Sequence, residues 1–179
     1  MRPVIIAALS LLSLLFLPIP AISGDLVEVG SGSVRYLGLI QVYQARLFAP
    51  AAATAPEIQQ ATTDFCLELN YQVKLKPAQF IKAAEKILRR QHSSTILSRF
   101  QERIDRLHAA YKPVSGGDRY RLCYNGNKDI TTLSLNNEQL AALPGADFAA
   151  LYTGIWLAEQ KPLDQDLQRA LLAAARKGT

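Results

Sequence analysis

Apolar and polar positions change their spacing several times along this chain, and each change marks an element. Asp25 to Val29 reads as a first strand, and Gly30-Ser31-Gly32-Ser33 as a turn or bulge. Val34 to Phe48 is rich in β-formers and reads as a strand or strand pair ending at Pro50. Ala51 to Thr63 is a loop with at most one short helical turn, because Pro56 interrupts it. From Phe65 to Leu75 the alternation is clearest: Phe65, Leu67, Leu69 and Tyr71 share one face of a strand. The period then lengthens. Pro77 opens a helix with Phe80, Ile81, Ala84, Ile87 and Leu88 on one side. Ser93 or Ser94 caps a second helix striped by Ile96, Leu97, Phe100, Ile104, Leu107 and Tyr111, which stops at Pro113.

Period two returns at Tyr120 to Tyr124, where Asn125-Gly126 signals a hairpin returning over Ile130 to Leu135. Asn136-Asn137 turns again, and Glu138 to Leu143 reads as a short helical piece. Asp147 is placed to cap an apolar helix over Phe148 to Leu157, and Asp164 to cap a last one over Gln165 to Arg176. Strands, two helices, strands, two helices: the order predicts an α+β fold, an antiparallel sheet with helices gathered onto it.

The first residues do not fit this pattern. Arg2 precedes an apolar run of 14 residues, Val4 to Leu17, broken by Pro18 and Pro20. Ala21-Ile22-Ser23 then offers small residues before a cut at Gly24, the layout of a secretory signal peptide. A membrane anchor needs about 20 apolar residues, more than this run has. Cleavage after residue 23 leaves 156 of the 179 residues, one domain over 24–179, and lowers the formal charge from +5 to +4. The expected location is the periplasm or outside the cell, with no transmembrane segment left. Charges of both signs are interspersed, so no basic face for nucleic acid is predicted. Cys66 and Cys123 would then meet an oxidising setting. Both fall on the more polar face of their strands. They pair if the strands are neighbours, and otherwise sit as two small buried hydrophobes.

Little in the inventory looks catalytic. His92 and His108 have no His or Cys partner at metal spacing and read as helix histidines. Gly30-Ser31-Gly32-Ser33 precedes a strand rather than a helix, so it is no phosphate loop, and no G-x-S-x-G nucleophile motif occurs. Asp164 and Asp166 are close, but Asp164 is more simply a cap. No catalytic residue, metal ligand or cofactor is nominated. One residue stays unexplained: Arg35, beside the glycines and ahead of a greasy strand. It either faces water or waits in a pocket for an anion.

Three stretches taken together resemble one family. They are GSGSVRYLGLIQVYQARLF at 30–48, FCLELNYQVKLKPAQFIKAAEKIL at 65–88 and GADFAALYTGIWLAEQKPLDQDLQRALL at 145–172. Their order and spacing resemble the chalcone isomerase-like domain, in its exported bacterial branch. The resemblance implies an open-faced β-sandwich: a large antiparallel sheet, a layer of helices over it and a cleft between. In the family's catalytic members a strand arginine and threonine, with a helix tyrosine and asparagine, surround the substrate. The arginine corresponds to Arg35, but the other three positions hold Gly38, Phe80 and Ile87. Chemistry that needs polar groups to orient a water or an enolate does not run on such residues.

An apolar cleft with one cation suits a hydrocarbon body with an anionic end, and the resemblance extends to plant relatives that bind fatty acids through this arginine. The expectation is therefore an exported, non-catalytic domain that binds a fatty acid or similar apolar anion, with Arg35, Gly38, Phe80 and Ile87 at its site. Two alternatives stay open. One is an interaction protein whose cleft is filled by side chains. The other is an enzyme of unknown reaction that uses Tyr36, Tyr43 or Tyr71 near Arg35.

Overall fold

The computed structural model describes residues 25–175, so the expected signal segment, 1–23, lies outside the described residues. One antiparallel meander of six strands organises the chain, each strand hydrogen-bonded to the next in sequence. Strand β1 (Leu26–Tyr36) turns into β2 (Ile40–Pro50), and a short helix α1 (Ala55–Gln59) leads to β3 (Phe65–Tyr71). Helices α2 (Pro77–Gln91) and α3 (Ser94–Ala110) cross over before β4 (Arg119–Asn125), β5 (Ile130–Leu135) and β6 (Glu138–Pro144). The chain closes with α4 (Ala146–Leu157) and α5 (Gln165–Leu171). This is the expected α+β architecture, a sheet with its helices on one face.

Alternation decides which face they cover. Tyr43, Ala45, Leu47 and Ala49 of β2 are buried, as are Phe65, Leu67, Leu69 and Tyr71 of β3. Tyr120, Leu122 and Tyr124 of β4 and Leu133 of β5 continue the same side. Onto it α2 lays Ala84, Ile87 and Leu88. Helix α4 is apolar all round and accordingly buried at every position from Phe148 to Leu157 except Ala150, which is half-buried. Ser93 and Asp164 cap α3 and α5 as expected, each accepting a backbone N–H from three residues on.

The opposite face carries polar side chains. Buried Glu68 lies 3.5 Å from Arg46, 3.6 Å from Arg121 and 3.7 Å from Arg119, and Arg46 also meets Glu28 at 2.6 Å. The Arg46 guanidinium stands 5.0 Å over the Phe48 ring. Cys66 and Cys123 are register partners on β3 and β4, on this same face, and form a disulfide.

Three readings from sequence change, and a fourth narrows to one of its alternatives. Glu138 to Leu143 is a strand, not a helical piece. Its Leu, Ala and Gln favour helix, but Asn136 and Asn137 both adopt positive φ and close a hairpin onto the free edge of β5. Of the two alternatives at Gly30 to Ser33 the bulge holds and the turn does not: β1 runs on to Tyr36 with a register shift between Glu28 and Gly30. The strand that starts at Phe65 ends at Tyr71, leaving Leu75 a single bridge to Val114. Asp147 is not the cap of α4: Gly145 holds that position, and Asp147 pairs with Arg103 at 2.7 Å.

Buried His108 packs beside the rings of Tyr111 and Tyr152. Burial holds its imidazole below the ordinary range, against the opposite pull of the Glu85 and Asp105 carboxylates. As pH falls, the unfolded chain takes up this proton first. The contribution is therefore complete above the unfolded pKa of about 6.5 and is lost as pH falls below it. Thermal unfolding followed between pH 7.5 and 5.5 should show wild type losing more stability than His108→Gln; equal slopes would exclude this role.

Candidate functional site

The layers leave a cavity of about 90 Å³ between the centre of the sheet and α2. Its floor is the helix-facing side of the middle strands: Tyr43 of β2, Leu67, Leu69 and Tyr71 of β3, Tyr120 and Leu122 of β4, and Leu133 of β5. Phe80, Ala83, Ala84 and Ile87 of α2 form one wall, and Ile155 and Trp156 of α4 another. Tyr111, which follows α3, and Leu163, between α4 and α5, complete it. Ala83 is the one exposed residue of this lining.

Everything polar in this wall is aromatic. The Trp156 indole N–H donates to the Tyr43 hydroxyl at 2.9 Å, and the Tyr111 and Tyr152 hydroxyls share a hydrogen bond of 2.9 Å. Tyr120 donates to the Lys112 carbonyl at 2.9 Å and accepts its N–H at 2.7 Å. Tyr71 has its ring 5.4 Å from Tyr43 and 5.5 Å from Phe80, and its hydroxyl makes no hydrogen bond among the described residues. Burial pushes the phenols of Tyr43, Tyr71 and Tyr111 up, so all three stay neutral at any physiological pH. Neutral phenols donate and accept hydrogen bonds but serve neither as base nor as nucleophile at that ionisation. Among the described residues no group of three His, Cys, Asp or Glu is placed to hold a metal ion. The arrangement can enclose an apolar group and offer one free hydroxyl.

Of the four residues expected at a ligand site, the structure brings two together. Phe80 and Ile87 are one wall of the cavity. Arg35 and Gly38 are not part of its lining. Pairing of β2 with β3 begins at Tyr43, opposite Tyr71, so the hairpin runs on past the end of β3. Arg35 lies on that extension, exposed, opposite Gln41 and with no side-chain hydrogen bond or ion pair among the described residues. Gly38, at φ 72°, is the hairpin's turn. The tyrosines divide similarly. Tyr43 and Tyr71 line the cavity, while Tyr36 is exposed near the hairpin tip.

Sequence reasoning missed Tyr111, Tyr120 and Trp156. Tyr120 was findable, because its alternation with Leu122 and Tyr124 puts it on the core face. The others depend on how α3 and α4 lie over the sheet.

A match to the model described as chalcone isomerase-like runs over residues 21–173. The chain belongs to the chalcone isomerase-like family. Among solved structures, a fatty-acid binding protein of Arabidopsis thaliana shares the fold, with a TM-score of 0.65 at 14% identity. The alignment covers 87% of this chain and 92% of that one. No curated protein matches the chain. The match thus extends over all six strands and all five helices of the described fold.

Proposed function

We propose that this chalcone isomerase-like domain is an exported, non-catalytic binding protein for a fatty acid or a similar molecule with a hydrocarbon body and an anionic end. The observation that carries this reading is the cavity between sheet and α2, walled by Phe80, Ile87 and neutral phenols, with exposed Ala83 marking its mouth. The fatty-acid binding Arabidopsis thaliana neighbour supports the ligand class. A carboxylate buried in a wall without a cation is costly. The hydrocarbon end therefore enters, and the carboxylate stays at the mouth. Lys86, exposed and one helical turn from Ala83, is its neighbour there. A cavity of about 90 Å³ takes the leading end of a chain, and the remainder lies along the mouth between α2 and Leu163. The Cys66–Cys123 disulfide supports an oxidising compartment.

Native mass spectrometry of the protein purified from its own host, followed by titration of the stripped protein with laurate and palmitate, tests the reading. A bound acid is expected, together with a loss of affinity of about tenfold or more in Ala84→Leu, whose added carbons enter the cavity. That variant should unfold no earlier than wild type, because it fills empty space. Stripped protein with no measurable affinity for either acid, or Ala84→Leu binding as wild type does, overturns it.

A further inference from the structure

The hairpin that leaves Arg35 outside the cavity presents an unusual surface. Tyr36, Leu37, Leu39 and Ile40 are 62%, 78%, 83% and 54% exposed, one contiguous apolar tip around Gly38. Isolated exposed apolar residues are ordinary, but four around one projecting turn mark a contact site. Turn chemistry does not explain them. The Leu39 N–H bonds the Tyr36 carbonyl at 3.1 Å, and the two central residues, Leu37 and Gly38, have φ of 51° and 72°. Such a turn favours Asn, Asp or Gly at both positions, and a leucine in the left-handed region is strained. Leu37 therefore sits where its side chain opposes the fold's interest, with nothing of the fold packed on it.

We infer that the β1–β2 hairpin tip inserts into the surface of an anionic lipid bilayer. Shape favours lipid over a protein groove: the tip is convex and its side chains point outward around a turn, which suits a soft, uniformly apolar medium. Charge favours an anionic surface. Arg35 is the one charged residue between Glu28 and Arg46, exposed and with no ion pair among the described residues, whereas Arg46 is taken up by Glu28 and Glu68. Arg35 stands one residue behind Tyr36, so a tyrosine and an arginine flank the leucines, the order in which side chains sort from headgroup to acyl region. Ile40, where the turn begins, is three residues beyond Tyr43, about 10 Å at the rise of a strand, and the turn around Gly38 extends further. The tip therefore reaches a bilayer while Tyr43 and the cavity stay above it. This contact stands independently of what the cavity holds.

Because Val4 to Leu17 is itself apolar, the test needs a readout local to the hairpin in the full chain. Leu39→Trp supplies one, with buried Trp156 as a constant background. Vesicles of phosphatidylglycerol and phosphatidylethanolamine should shift its emission to the blue, and lipids brominated on the acyl chain should quench it. Leu37→Ser in that background should raise the lipid concentration for half-maximal response about tenfold or more, and Arg35→Gln about fivefold. Vesicles of phosphatidylcholine alone should respond more weakly. The inference is overturned by an unshifted, unquenched signal, by Leu37→Ser responding as its parent does, or by a blue shift that needs protein concentration and no lipid, which would assign the tip to a second copy. Adding Ala84→Leu separates the two proposals: it should weaken acid binding in the cavity by about tenfold or more and leave the quenching unchanged.

Discussion

Replacing Cys66 and Cys123 together by alanine should lower the stability of the domain by about 4 kcal/mol. The bond joins residues 57 apart in sequence, and closing a loop of that length restricts the unfolded chain by about this amount. For a domain of this size the loss corresponds to about 8 to 16 °C in midpoint. Location adds to length. Strands β3 and β4 are the middle pair of the sheet, and the crossover between them carries all of α2 and α3, so the disulfide spans the longest connection in the fold. It also replaces two thiols beside the Glu68–arginine group with a covalent tie on the sheet face opposite the helices. Thermal unfolding with and without a reductant checks this: wild type should fall to the level of the double variant, and the variant should ignore the reductant. A double variant within about 2 °C of wild type would mean that the crossover is already restrained in the unfolded chain.

Much of the sheet was legible because alternation is a local signal. Phe65 to Tyr71 and Tyr120 to Tyr124 announce both their strands and their buried faces, and the opposite phase of Cys66 and Cys123 is what allows the disulfide. What stayed hidden is non-local. Glu138 to Leu143 has helical composition and becomes a strand only because β5 offers an edge and the two asparagines supply the turn. The cavity was half legible. The helical period of α2 gives Phe80 and Ile87 their common face, but Tyr111 and Trp156 reach the same space from helices whose angle over the sheet no local pattern encodes. Arg35 was the hardest case. Whether it meets the cleft depends on where β3 stops, and β3 stops at Tyr71 because Gln72 to Lys76 leave the ladder to start α2.

Substituting Gly30 with valine should cost about 3 kcal/mol or more, the larger of two very different glycine effects in one hairpin. A Cβ at Gly30 would stand 2.6 Å from the Leu171 carbonyl carbon and closer still to the carbonyl oxygens of Ala170 and Leu171. These are backbone atoms and cannot rotate aside, so α5 must move off β1. That uncovers Leu167 and Leu171, both buried, each contributing about 1.5 to 3 kcal/mol by its burial, and breaks the Ala174 N–H bond to the Val29 carbonyl. Gly38→Ala has nothing within 4 Å to strike and meets only the strain of φ 72°, about 1 kcal/mol. Urea unfolding of both variants separates steric exclusion from backbone strain, and a Gly30→Val midpoint no lower than that of Gly38→Ala would refute the close approach of α5. The consequence reaches the cavity as well. Leu163 lies just ahead of α5 and forms one side of the mouth, so a displaced α5 should release a bound acid faster in Gly30→Val while Gly38→Ala keeps wild-type release.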